Sequence, residues 1–244
     1  MCLDCGCGSE RVHIDNEEHS CSHRRVSIEI DLLAANNHLA KNNRQFLAEK
    51  NILALNLLSS PGSGKTALLT RTISDLKTAT EITVIEGAQQ TANDAERIRA
   101  TGAKAIQINT GKGCHLDAGM IGYALQKLQP SNDSLLFIEN VGNLVCPAGF
   151  DLGEACKVVI LSVTEGEDKP LKYPDIFHAA DLMIINKIDL LPYVEFDLDT
   201  CIEYAKQVNP QIKIIQLSAT KGHGLEVWYD WLNRGCDEFT NKEI

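Results

Sequence analysis

The chain has 244 residues, 23 Lys and Arg against 33 Asp and Glu, a net charge of −10 and 44% hydrophobic residues. This length suits one α/β domain with appendages, and the acidic balance without a basic stripe argues against nucleic acid as a main partner. No run approaches the about 18 apolar residues of a membrane span, and Met1-Cys2-Leu3-Asp4-Cys5 lacks the basic-then-apolar order of a secretory signal. The expected location is the cytoplasm, where nine cysteines point to metal or redox chemistry and not to a disulfide framework.

Residues 1–25 are polar, rich in Cys and His and without periodicity, so they are expected to lack order until a ligand binds. Within them Cys2, Cys5 and Cys7 form Cys-x-x-Cys-Gly-Cys. Three thiolates this close can wrap one soft or borderline metal, with Gly6 allowing the tight fold between them and a terminal amine as fourth ligand. Square-planar Ni(II) suits thiolate with nitrogen, and tetrahedral Zn(II) stays open. His13, His19, Cys21 and His23 read better as solvated polar residues than as further ligands. From Val26 to Lys50, Ile28, Leu32, Leu39 and Phe46 recur at helical spacing, predicting one or two helices packed on the domain that begins at residue 51.

From residue 51 to 244 the chain reads as one domain, in which apolar strands alternate with helical patterns. Strands are expected near 51–58, 81–86, 104–109, 134–139, 156–163, 181–186 and 212–217. Such alternation implies a mostly parallel sheet covered by helices on both faces.

Between the first of these strands and a helix start lies Ser59-Ser60-Pro61-Gly62-Ser63-Gly64-Lys65-Thr66. Strand, Gly-rich turn ending Gly-Lys-Thr, and helix form the context of a phosphate-binding loop, although the usual first Gly is Ser59. Backbone N–H groups of Gly62, Ser63, Gly64, Lys65, Thr66 and Ala67 would face an anion at the helix start. Lys65 would reach the β- and γ-phosphates and the Thr66 hydroxyl would bind Mg²⁺. Asn186-Lys187-Ile188-Asp189 ends a later strand. A carboxylate there accepts from guanine N1–H and the 2-amino group, for which adenine has no match, so GTP is expected over ATP. Ser218 and Ala219 sit where a second base-contacting loop belongs. Glu139, in Glu139-Asn140-Val141-Gly142, occupies the place of the acidic residue that supports Mg²⁺ or orients water.

Cys114-His115 and Cys146 leave the carboxyl ends of two strands, the edge at which an open parallel sheet binds nucleotide. They could form a Cys/His/Cys metal site beside the phosphates, completed by an open position or across a dimer, or could equally be small buried residues. Cys156, Cys201 and Cys236 read as packing residues.

Taken together, these motifs resemble the HypB family, GTPase accessory proteins that supply nickel to nickel–iron hydrogenase during maturation. The resemblance rests on Cys-x-x-Cys-Gly-Cys at 2–7, Pro-Gly-Ser-Gly-Lys-Thr at 61–66, Asn-Thr-Gly-Lys-Gly-Cys-His-Leu-Asp-Ala at 109–118, Glu-Asn-Val-Gly-Asn-Leu-Val-Cys-Pro at 139–147, Ser-Val-Thr-Glu-Gly-Glu-Asp-Lys-Pro at 162–170 and Asn-Lys-Ile-Asp at 186–189. It implies the dimer-forming class of P-loop NTPases, GTP hydrolysis, GTP-promoted homodimerisation and a metal site at the dimer interface built from Cys114, His115 and Cys146. It also implies a tighter nickel site at Cys2, Cys5 and Cys7. The implied partners are a HypA-type nickel protein, a nickel-binding prolyl isomerase and the hydrogenase large-subunit precursor. Nickel or zinc would occupy the second site. One departure stands out: where the family has Glu-Gly-Asp, this chain has Glu86-Gly87-Ala88, losing an oxygen ligand for a hard cation. That predicts weaker Mg²⁺ coupling and slower hydrolysis. Two other functions fit less of the pattern: a GTPase chaperone for another nickel enzyme such as urease, or a nickel or zinc storage protein with a weakened GTPase.

Overall fold

The computed structural model describes residues 11–14, 17–20, 23–89 and 93–240, with side chains from 32 to 89 and from 93 to 235. Cys2, Cys5, Cys7 and Cys21 lie outside the described residues, as do the side chains of His13, His19, His23 and Cys236. Within the segment expected to lack order, Arg11–Ile14 (β1) pairs antiparallel with Glu17–Ser20 (β2). No helix of the described residues is long and apolar enough to cross a membrane.

The main body alternates strand and helix: β3 (Leu53–Ser59), α2 (Lys65–Leu76), β4 (Ile82–Ala88), α3 (Asn93–Ala100), β5 (Lys104–Asn109), α4 (Ala118–Leu128), β6 (Leu135–Glu139), β7 (Cys156–Ser162), α5 (Lys169–Lys172), α6 (Pro174–Ala179), β8 (Leu182–Asn186), α7 (Leu198–Val208), β9 (Lys213–Gln216) and α8 (Leu225–Thr240). The seven strands from β3 to β9 make one sheet in the order β5-β4-β6-β3-β7-β8-β9, and every ladder is parallel. A parallel sheet must be covered on both faces, and β3 shows how. Leu53, Leu55 and Leu57 pack with α2 and α8 through Leu68, Leu69, Ile73, Trp228 and Leu232. The alternate residues Ile52 and Ala54 pack toward α4 through Ile121, Ala124 and Leu125, and Leu58 packs toward α6 and α7. Cys156 and Cys201 are buried in these layers, as packing residues should be.

A single helix, α1 (His23–Glu49), precedes the sheet where one or two were expected. The face it buries is not the one expected. Leu32 and Leu39 are 62% and 43% exposed, and the buried positions are Asn36, Ala40, Asn43 and Leu47. These four also recur at helical spacing, but two of them are amides, so a search for apolar residues alone selects a stripe on the flank of the buried one. Phe46 stays partly buried at the edge of the α4 cluster.

On the other face, Trp228 Nε1 donates to Thr72 Oγ1 at 2.9 Å, joining α8 to α2 where both residues are fully buried. Removing either partner leaves a buried polar atom unmatched, at about 1–3 kcal/mol. Urea denaturation of Trp228→Phe, Thr72→Val and the double variant should therefore show the double costing less than the sum of the singles. Strict additivity would mean that the bond contributes nothing.

Candidate nucleotide and metal site

The carboxyl ends of β3, β6, β7 and β8 converge on the loop 59–66. Gly62 (φ +81°) and Gly64 (φ +96°) hold the left-handed backbone that lets this turn fold back onto the start of α2. A Cβ on Gly64 would run into Asn186 Nδ2, so no other residue fits there. Asn186, at the end of β8, is fully engaged. Its Nδ2 donates to Ser63 O at 2.9 Å, and its Oδ1 accepts from Lys187 N at 2.8 Å and Ala219 N at 3.1 Å. One buried amide therefore ties the phosphate loop to both expected base loops. Lys187, in left-handed backbone (φ 62°), donates from Nζ to Gly62 O at 2.6 Å. Asp189 comes two residues later, with its Oδ1 buried and without a hydrogen-bond partner. Ser218 is buried and holds its own loop, with Ser218 N donating to His223 O and Lys221 N to Ser218 Oγ.

At the phosphate end, the Thr66 hydroxyl donates to Glu139 Oε1 at 2.6 Å and Lys65 Nζ lies 3.8 Å from the same oxygen. Across the sheet Glu139 neighbours Glu86, its register partner on β4. Both side chains are buried, and each has its Oε2 without a partner, as does Ser63 Oγ. Burial pushes the Glu139 carboxyl up, against the pull of Lys65 and the Thr66 hydroxyl. Burial likewise lifts Glu86, helped by Glu139 and Asp94 and opposed by Lys65 and Arg99, to about 7. Oxygen donors without protein partners, beside a hydroxyl and a lysine, fit a hard divalent cation such as Mg²⁺ and the phosphates it accompanies. The sequence singles out Glu139 but not Glu86. The only sequence signal for Glu86 is its place in Glu86-Gly87-Ala88, where the third residue is the one that departs from the family pattern.

The loop that begins with Glu139 leads from this cluster to a second one. A Cβ on Gly142 would sit 3.2–3.3 Å from Pro61, so the loop lies flat on the phosphate turn. Asn143 Nδ2 donates to Cys114 O at 3.3 Å. Cys146 then opens a 3-10 turn, Cys146–Gly149, with Pro147 at its first positions. Cys114, His115 and Cys146 bring their ligand atoms within 4.8 Å of one another. Cys114 Sγ is 3.7 Å from His115 Nδ1, and both cysteines are buried. Two thiols and an imidazole at this spacing suit Ni²⁺ or Zn²⁺ and leave coordination positions for a further ligand. Burial lowers the His115 pKa, only partly offset by Asp117, which keeps the ring neutral and able to ligate. The ring also lies against Phe150, centroids 3.9 Å apart.

A buried polar chain supports both loops. Asn140 Oδ1 accepts from Leu116 N at 3.2 Å, and Asn140 Nδ2 donates to Asn56 Oδ1 at 3.2 Å. Asn56 Nδ2 donates to Glu154 Oε1 at 3.0 Å, and Lys157 Nζ binds the same oxygen and Phe150 O. The chain thus begins beside His115 and returns to the residue its ring touches. Sequence reading does not reveal Asn56, Phe150 or Glu154 as members of this set, because none belongs to a short motif.

The model of the CobW/HypB/UreG nucleotide-binding domain matches residues 53–216. "Hydrogenase maturation factor HypB" of Azotobacter vinelandii is 58% identical over 232 residues, covering 95% of this chain and 76% of that protein. The crystal structure of the hydrogenase maturation factor HypB from Archaeoglobus fulgidus is 45% identical with a TM-score of 0.78, covering 83% of this chain and 99% of that one. HypB from Helicobacter pylori, crystallised in complex with nickel, is 37% identical with a TM-score of 0.80, covering 86% and 99%.

The raised Glu86 carboxyl has a consequence for stability. The folded, nucleotide-free protein binds this proton more tightly than the unfolded chain, so the contribution is present below pH 4.5 and is lost as pH rises toward about 7. Thermal unfolding of Glu86→Gln should therefore show a shallower fall in stability across that window than the parent. An unchanged slope would place the titration elsewhere.

Proposed function

Because the chain belongs to the CobW/HypB/UreG family, and within it to the HypB hydrogenase maturation factors, we propose that it is a GTP-hydrolysing nickel metallochaperone that serves the hydrogenase large-subunit precursor. The observation that carries this reading is the continuity of Glu139–Cys146, which meets Thr66 at one end and Cys114 and His115 at the other. A nucleotide reader and a soft-metal site on one short loop suit a protein whose cargo handling follows its nucleotide state.

In this reading Asp189 accepts from guanine N1–H and the 2-amino group, with Ser218 and Ala219 closing the base loop. Gly62, Ser63, Gly64, Lys65, Thr66 and Ala67 surround the phosphates through backbone N–H groups and the Lys65 ammonium. Thr66 and Glu139 would hold Mg²⁺, which would supply positive charge beside the phosphates. Phosphoryl transfer requires little covalent chemistry from the protein, so Lys65, Thr66 and Glu139 contribute positioning and charge. Loss of the γ-phosphate relaxes the segments at 86–89 and 109–117, changing the geometry at Cys114, His115 and Cys146. Nickel is the cargo there, and Zn²⁺ fits the same donors. Three protein ligands leave room for completion across a GTP-promoted homodimer. Cys2, Cys5 and Cys7 would hold nickel more tightly and exchange it with a HypA-type protein or a nickel-binding prolyl isomerase in the cytoplasm. The nickel complex of the Helicobacter pylori relative supports nickel as the metal.

Ala88 favours a second reading, a nickel or zinc store with a weakened GTPase. The two separate in a strain that lacks its own maturation GTPase: a chaperone restores nickel-dependent hydrogenase activity, and a store does not. Restored urease activity alone would favour a different client.

The nucleotide chemistry generates two measurements. Asp189→Asn replaces an acceptor with a donor and should weaken GTP by about 5- to 150-fold while favouring xanthosine triphosphate, read by competition binding. Equal affinities for both nucleotides would remove Asp189 from the base site. Ala88→Asp should raise turnover and make it more strongly dependent on Mg²⁺, and unchanged turnover would show that position 88 has no role in hydrolysis.

A further inference from the structure

The helix α1 is unaccounted for by the nucleotide chemistry, yet its inward face is built for a specific purpose. Asn36 Oδ1 accepts from Ala118 N at 2.9 Å, and its Nδ2 donates to Asp151 O at 2.7 Å. Asn43 Nδ2 donates to Ala118 O at 2.8 Å and to Leu152 O at 3.0 Å. Arg44 adds an ion pair to Asp151 at 2.7 Å. Both asparagines are buried, so these bonds form away from competing water. The fit leaves no slack. A Cβ on Gly153, already in left-handed backbone, would come within 2.6 Å of the Ala40 carbonyl oxygen, and one on Gly122 within 2.9 Å of Asn43 Oδ1.

The two anchor points are not random places on the surface. Ala118 lies just after His115 on the segment that enters α4, and Asp151 and Leu152 come directly after Phe150, whose ring lies against His115. Each asparagine bonds to both segments. An apolar stripe would have held the helix without fixing direction, but these amides fix the separation of two loops that rise from different strands. Ala40 and Leu47 are buried on the same inward face as the two asparagines, so apolar contact and directional bonds seat this stretch of helix together.

We propose that α1 is a positioning element of the Cys114/His115/Cys146 site, acting through Asn36 and Asn43 to set the distance between the His115 and Phe150 segments. This rests on the reading that those three residues take a metal. Docking of α1 and metal binding are then reciprocal: whatever factor α1 adds to metal affinity, bound metal must add to α1 docking.

The test uses the full chain with Cys2, Cys5 and Cys7 changed to Ser, so that zinc reports on the internal site. Zinc affinity is read by competition with a chromophoric chelator. Asn36→Ala and Asn43→Ala should each weaken zinc by about 5-fold or more, within the usual range of coupling between sites, while GDP affinity is unchanged. Hydrogen exchange of the α1 amides in the parent should slow when zinc is added, and Cys114→Ser should abolish that slowing. The exchange measurement needs no asparagine variant, so it stands even where a variant fails to fold. Exchange in α1 indifferent to bound zinc, or asparagine variants with faster α1 exchange but unchanged zinc affinity, would overturn the proposal. Failure of the parent to bind zinc at all would overturn the metal-site reading first and this inference with it.

Discussion

The structure depends on a loop that leaves the sheet beside its centre and has to satisfy two different chemistries. From Glu139, buried between Thr66 and Lys65, the chain passes Asn140 and lies against Pro61 at Gly142. It then bonds to Cys114 through Asn143 and ends at Cys146. The loop is short, and Glu139, Asn140, Val141, Leu144 and Cys146 within it are buried. In the proposed function a displacement at the phosphate end reaches the thiols through this loop. The sheet order supplies the rest: β6 and β7 flank β3, which places three loops at one carboxyl edge.

Buried asparagines do much of the joining. An amide carries donor and acceptor on one small neutral group, so it can bridge two backbones without the cost of burying a charge. Asn186 joins the phosphate turn to the segments at Lys187 and Ala219, Asn140 and Asn56 join the Leu116 segment to Glu154, and Asn36 and Asn43 seat α1. Apolar packing covers the sheet on both faces, whereas the loops that carry the chemistry are aligned by directional bonds.

This division explains what could be read from sequence. The seven strands were legible because strands buried on both faces are nearly continuous apolar runs, as Leu182–Asn186 and Cys156–Ser162 illustrate. The phosphate turn was legible because its Gly and Lys positions are fixed by backbone geometry. That Cys114 and Cys146 share an edge followed from their both leaving carboxyl ends of parallel strands. The inward side of α1 was not legible: Leu32 and Leu39 carry the apolar signal, and Asn36 and Asn43 make the contacts. Nor were Phe150 and Glu86. Phe150 acquires its role only when the 3-10 turn after Cys146 folds back to His115, and Glu86 only when β4 and β6 set it beside Glu139.

In the proposed function nucleotide state and metal affinity share one mechanical element. The most direct measurement is a nickel titration of the reduced protein with GDP and then with a non-hydrolysable GTP analogue, with light scattering to monitor assembly. The expected result is a nickel site that is lost in Cys114→Ala and whose affinity differs between the two nucleotides by about 5- to 150-fold, with dimerisation accompanying the change. Nickel binding that is identical with either nucleotide, by a protein that stays monomeric throughout, would contradict it.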